Sequence, residues 1–353
     1  MRNFADRLMD EIDAKHNPSC VGLDPRFDSI PERIKEECRR KHGETFEGIG
    51  ACILEFNKAI IDAVKDLVPA VKPQMAFYES YGAAGVKSFM DTVDHARKRG
   101  LLVIEDAKRN DIGSTAKAYS EGHLGTVSFW GGRRVCFDVD AITVSPYLGS
   151  DGIKPFVEDC AAHGKGIFVL VKTSNPSSGE LQDMLSISEH PALRDIQREV
   201  GEAGNARLSD VIGLMSQADK TVVAPNYISM ASRVAEWGVD VVGERGYSSV
   251  GAVVGATYPG EARTIRKALP SAYFLVPGYG AQGGAAADAM NCFNADGYGA
   301  VVSSSRGITH AYQADQFKSR FGEDEFDEAA GAAADSMRNE ITSAMKAAGK
   351  YPW

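Results

Sequence analysis

Histidine and cysteine are scarce and scattered in this chain. The seven histidines show no H-E-x-x-H and no paired spacing, and Cys20, Cys38, Cys52, Cys136, Cys160 and Cys292 form no C-x-x-C. Neither a metal site nor a disulfide framework is expected; free thiols in a reducing compartment are. No run of about 18 apolar residues occurs, so no membrane-spanning helix and no membrane partner are predicted. Positive charge is also short. With 39 Lys and Arg against 48 Asp and Glu, the net charge is −9, which leaves no basic field to attract a nucleic acid. A small phosphate ligand is still allowed, because it needs only a local site. Trp130, Trp237 and Trp353 lie far apart and read as packing or surface residues. The first segment, MRNFADRLMDEIDAKH, is acidic, with Phe4, Leu8 and Ile12 on one helical face. It is unlike a signal peptide, and a cytoplasmic location is expected.

What the chain has in plenty is glycine, 36 residues, and short apolar runs. The runs are 19–24, 69–74, 101–108, 141–146, 166–173, 251–257, 272–278 and 299–305. Their near-continuous apolar character suits strands buried on both faces. Amphipathic stretches such as ILEFNKAIIDAVKDL alternate with them, which implies parallel βαβ units. Such units in this number close a (β/α)₈ TIM barrel. Two stretches break the rhythm: about 175–250, read as a helical insertion after strand 5, and an Ala-rich helical tail from about 313 to 353. No linker divides the chain, so residues 1–353 are read as a single domain.

Polar residues collect at the C-terminal ends of the predicted strands, the face where barrel enzymes keep their active sites. Asp24, Lys72, Asp106, Lys108, Thr173, Ser174 and Arg306 are among them. Asp106 and Lys108 are one residue apart at a strand end, so their side chains should share a side. With Lys72 on the preceding strand and Asp111 in the following loop, they make an alternating array, Lys72–Asp106–Lys108–Asp111. Opposite charges held so closely keep each lysine protonated and each carboxylate ionised. At the far side of the mouth, LVPGYGAQGG (275–284) and SSSRG (303–307) follow strands 7 and 8, where barrels commonly hold phosphate. Glycines let backbone N–H groups turn toward an anion, and an arginine can clamp it in a fork. Gln282, Gly283, Ser305 and Arg306 are the candidates there. Gly278, Gly280 and Gly283 also spell G-x-G-x-x-G, but a dinucleotide fingerprint belongs to a first βαβ unit, not a seventh strand. Asp138 and Asp140, just before strand 4, read as loop residues facing water.

The pattern D-x-K-x-x-D-I, here Asp106, Lys108, Asp111 and Ile112, resembles the signature of the orotidine 5'-phosphate decarboxylases. The likeness extends over VGLDP (21–25), VKPQMAFYESYG (71–82), DAKRNDIGSTA (106–116), TVSPYLG (143–149), VLVKTSNPSSGELQ (169–182), VVGATYP (253–259), LVPGYGAQGG (275–284) and VVSSSRGI (301–308). The long form looks like the bacterial type 2 branch. The resemblance implies decarboxylation of orotidine 5'-monophosphate without a cofactor or metal. It makes Lys108 the proton donor to C6 of the pyrimidine, with Lys72 and Asp106 around the leaving carboxylate. It makes Asp24 a ribose ligand and Ser174 or Thr173 the contact to the pyrimidine edge. It also implies a homodimer in which Asp111 and Thr115, beside Ile112, serve the neighbouring subunit's site. The alternative is a related phosphate-binding barrel, a Mg²⁺-dependent sugar-phosphate decarboxylase or hexulose-phosphate synthase. A Schiff-base aldolase is disfavoured, because flanking carboxylates hold Lys108 charged.

Overall fold

The computed structural model describes residues 1–187, 223–280 and 283–353. Strands β1 (Ser19–Leu23), β2 (Ala70–Pro73), β3 (Leu102–Arg109), β4 (Ala141–Val144), β5 (Gly166–Lys172), β6 (Ser248–Val254), β7 (Ala272–Val276) and β8 (Ala300–Ser304) close into one parallel barrel in chain order. Every residue of β1, β2, β4, β6, β7 and β8 is buried. That is the environment their largely apolar sequences demand. The expected barrel is therefore present, with all eight strands where the apolar runs lie.

The N-terminal end of the barrel is sealed. Helix α1 (Phe4–Lys15) starts at Asn3, whose side chain accepts the N–H groups of Ala5 and Asp6 at 2.7 and 3.4 Å, a capping arrangement. Its face of Phe4, Leu8 and Ile12 is buried. The Phe4 ring meets Phe168 edge-on at 5.9 Å. A Cβ at Gly166 would lie 2.3 Å from that ring, so only glycine fits. Trp353 stacks on His16 and bonds Asp13 at 2.8 Å, tying the two chain ends together. Asp140 does not face water as a loop residue would, and Asp138 is half-buried. Asp140 is 3% exposed and binds Arg7 and the N–H of Val103 at 2.8 and 2.9 Å. Asp138 binds Lys165 and Arg97. The strand-end backbone and three cations surround this pair, which the local sequence does not reveal.

The segment after β5 is more mixed than a helical insertion. Leu185–Ile187 pairs antiparallel with Val223–Pro225. Helix α2 (Asn226–Gly238) then packs on β5, β6 and the next helix, Pro259–Ala268, in the place of a barrel crossover helix. Residues 188–222 of the expected insertion lie outside the described residues. The tail forms helix α3 (Phe326–Ala347), whose Ala330, Ala333, Ala334, Met337, Ile341 and Met345 are buried at helical spacing. It packs against the helix Phe46–Val64 on the barrel's outside. Among the described residues no helix is long and apolar enough to cross a membrane.

Candidate active site

The chemistry gathers where β3 departs from regular pairing. Ile104 and Glu105 pair with Ala141 and Ile142, but the next pair is Arg109 with Val144. Asp106, Ala107 and Lys108 thus stand against Thr143 alone, a bulge that bends the strand and re-aims its side chains. The freed N–H groups of Ala107 and Lys108 both donate to Thr143 Oγ1, at 3.0 and 2.9 Å. The Thr143 hydroxyl donates to Asp106 Oδ1 at 3.1 Å. Lys108 takes φ = +50°, the left-handed region that a lysine enters only when its surroundings hold it there. Asp106 and Lys108 do meet, as their spacing predicts, but through this bulge and not through a simple pleat.

Asp106 is the hub. Its Oδ2 accepts Lys72 Nζ at 2.8 Å and its Oδ1 accepts Lys108 Nζ at 2.5 Å. The Lys72 and Asp106 side chains are 7% and 13% exposed, whereas that of Lys108 is 45% exposed. Of the two ammonium groups in this cluster, that of Lys108 is the more open to a ligand. Burial alone pushes the Asp106 carboxyl up; the charges of Lys72 and then Lys108 outweigh it and hold it well below the usual carboxylate range. For Lys72 burial pulls down, and Asp106 and then Asp24 outweigh it, keeping the ammonium above the ordinary lysine range. Asp24 joins from the end of β1. Its buried Oδ1 has no hydrogen-bond partner among the described residues, an unmet acceptor that suits a ligand hydroxyl.

These groups line a cavity of about 510 Å³ together with Gln74, Thr173, Ser174, Gln182, Ser305 and Arg306, a size typical of small-molecule sites. A larger hollow of about 710 Å³, beside Phe27, Phe46 and Ile49, holds no comparable ion cluster. On the β5 side, Thr173 is fully engaged. Its N–H donates to Gln182 Oε1 at 3.0 Å, and its hydroxyl accepts Gln182 Nε2 at 2.9 Å and donates to Asn175 at 2.6 Å. Ser174 has no side-chain partner among the described residues, so of the two hydroxyls it is the free one. Gly255 is the close-approach residue here, since a Cβ would lie 2.9 Å from Ser174 Cα. On the β8 side a Cβ at Gly22 would fall 1.8 Å from Ser305 Oγ, so glycine in β1 makes room for that hydroxyl. Arg306 is exposed and its guanidinium has no partner among the described residues. The loop after β7 turns through Gly278, Gly280 and Gly283, all at positive φ. Gly283 is exposed outside the cavity wall, and Gln282 lies outside the described residues.

Besides Gly283, three expected residues do not line this cavity. Asp111 caps its own loop, accepting the Ile112 N–H at 2.8 Å. Ile112 is 53% exposed, and Thr115 is exposed at the start of the helix Gly113–His123. Within one chain the array thus has three members, not four, because the loop after β3 carries Asp111 outward. Conversely, Thr143 and Gln182 belong to the site without standing out in the sequence. A threonine inside TVSP and a glutamine ending TSNPSSGELQ carry no charge pattern to flag them. Among the described residues no group of three His, Cys, Asp or Glu side chains is arranged to hold a metal ion.

A closed parallel barrel with an ion cluster locked at its C-terminal mouth defines the class: an α/β-barrel enzyme. The sequence profile of the Orotidine 5'-phosphate decarboxylase / HUMPS family matches residues 19–317. The chain is 41% identical over 345 residues to the orotidine 5'-phosphate decarboxylase of Rhodopirellula baltica, covering 97% of this chain and 99% of that protein. It is 39% identical to that of Caldicellulosiruptor bescii, over 89% of this chain and 91% of that one. The solved structure of Leishmania donovani OMP decarboxylase superposes with a TM-score of 0.64 at 28% identity, covering 97% of this chain and 98% of that one. The chain belongs to the orotidine 5'-phosphate decarboxylase / HUMPS family.

Proposed function

We propose that this barrel decarboxylates orotidine 5'-monophosphate to uridine 5'-monophosphate in pyrimidine biosynthesis. The observation that carries the reading is the Lys72–Asp106–Lys108 cluster lining the cavity, in which Lys108 is the most exposed member. The C6–carboxylate bond breaks, CO₂ leaves, and the electron pair stays on C6 in the ring plane, where no π system takes it up. The Lys108 ammonium stabilises that developing charge and then gives its proton to C6. Because its position is set before the reaction, little reorganisation is needed as the charge forms. Asp106 faces the departing carboxylate, and Lys72 keeps Asp106 ionised in its buried place.

The remaining roles follow the shape of the ligand. The unmet oxygen of Asp24 accepts a ribose hydroxyl, and the free hydroxyl of Ser174, held beside Thr173, meets the pyrimidine edge. Ser305 and Arg306, with Gln282 and Gly283, take the phosphate. Asp111, Ile112 and Thr115 serve the site of a second copy in a homodimer, a reading supported by their absence from the lining of their own chain's cavity. Mixed dimers of Lys108→Ala and Asp111→Ala should recover one working site from two inactive subunits; no activity in verified heterodimers removes the shared-site reading. The function itself is tested by following the absorbance of orotidine 5'-monophosphate with chelator-treated protein. Turnover unaffected by chelator is expected. Turnover only after Mg²⁺ is restored, or only on a sugar phosphate, points instead to the hexulose-phosphate side of the family.

A further inference from the structure

A second lysine at a strand end is buried more deeply than Lys72 and takes no part in the cluster. Lys172, the last residue of β5, is 0% exposed. Its Nζ donates to Asp183 Oδ1 at 2.5 Å and lies 4.5 and 5.7 Å from the ring centres of Tyr258 and Tyr227. These three partners come from different places: Asp183 ends the loop that follows β5, Tyr258 follows β6, and Tyr227 sits in α2. A charge taken this far from water is costly unless its partners hold it well, and the faces of two phenol rings are suitable ones.

The cage grips both ends of one loop. At the near end Lys172 is followed directly by Thr173 and Ser174. At the far end Asp183 is preceded directly by Gln182, whose amide oxygen accepts the Thr173 N–H and whose amide N–H donates to the Thr173 hydroxyl. Tyr258 also donates from its hydroxyl to the Asn175 carbonyl at 3.1 Å. The loop 173–183 is thereby closed on itself, with Thr173 used up and Ser174 left facing the cavity.

We propose that Lys172 is a positioning residue which, through Asp183 and Gln182, fixes this loop so that Ser174 meets the base of the nucleotide. The inference rests on the nucleotide reading above and adds how the base is read. It also predicts a selective defect. Lys172→Met keeps the length and apolar stem of the side chain but removes its charge. Affinity for uridine 5'-monophosphate should fall about tenfold, the scale of one well-placed hydrogen bond. Affinity for ribose 5-phosphate, which lacks the base, should change less than about twofold. In a Gln182→Ala background the same substitution should add little, because the path from Lys172 to Thr173 is already cut. Asp183→Asn, made at the exposed end of the cage, carries the same test if Lys172→Met does not fold. Equal weakening of both ligands, or unchanged nucleotide affinity, overturns the proposal. Wild-type protein that decarboxylates the substrate while the variants keep their selectivity sinks this inference alone and leaves the proposed function standing.

Discussion

On the β2–β4 side of the cavity each charged group already has its partner, whereas on the β7–β8 side Arg306 has none among the described residues. Lys72, Asp106, Lys108 and Thr143 bond one another at 2.5–3.1 Å. Facing them are exposed Arg306, the Ser305 hydroxyl and a loop that turns on glycines. The two halves solve different problems. Charge that must stabilise a transient carbanion is useful only if placed before the reaction. Charge that captures a phosphate can wait for it, since its task is binding energy.

Substitutions on the two sides should therefore fail differently, and the largest failure belongs to the fixed side. Lys108→Ala should lower kcat by at least ~10³-fold, combining the loss of a proton donor and of a charge at C6, while affinity for uridine 5'-monophosphate stays within a fewfold. A kcat close to wild type breaks the contrast at once. Arg306→Ala should lower kcat/KM by about 10–100-fold, as expected for charge-assisted hydrogen bonds, and phosphate-free nucleosides should be insensitive to it. Thr143→Val strands the two bulge N–H groups and removes a bond to Asp106. It should cost about tenfold in kcat and lower the melting temperature, a joint loss that Arg306→Ala should not show.

The smallest effect is on the acid side of stability. The folded Asp106 carboxyl lies below its unfolded value, so it adds stability that is full above the unfolded value and is lost progressively as pH falls from there toward the depressed one. Lys72→Met removes the leading charge that opposes burial, so the carboxyl moves up toward its unfolded value and the stability it contributes at neutral pH, and therefore loses in acid, shrinks. Thermal melts from about pH 7 down to about pH 3 should show the variant starting from a lower plateau at neutral pH and declining less steeply on the acid side than the wild type. Superimposable profiles would mean that Lys72 does not govern Asp106.

How legible this was follows the kind of information each feature uses. Strands buried on both faces write themselves as apolar runs, so all eight barrel strands are visible along the chain. Lys72, Asp106 and Lys108 are visible because charge ending a buried strand is unusual. The device that aims them is not. A bulge with Lys108 at positive φ, satisfied by one threonine from the next strand, depends on pairing register, which single residues do not record. The grip of Gln182 on Thr173 is likewise set by a loop closing on itself. Asp111 shows the limit from the other direction, since a single chain does not place it at its own cavity and the resemblance assigns it to the site of a second copy. Helix α2 was counted with the insertion because its crossover role lies in what it packs against.

The most direct test of the central claim is a crystal structure of this protein with uridine 5'-monophosphate bound. The account predicts C6 within about 3–3.5 Å of Lys108 Nζ, the distance of groups poised to react, with the phosphate against Arg306. A base turned so that C6 faces the β7–β8 wall, with Lys108 touching only Asp106, would contradict it.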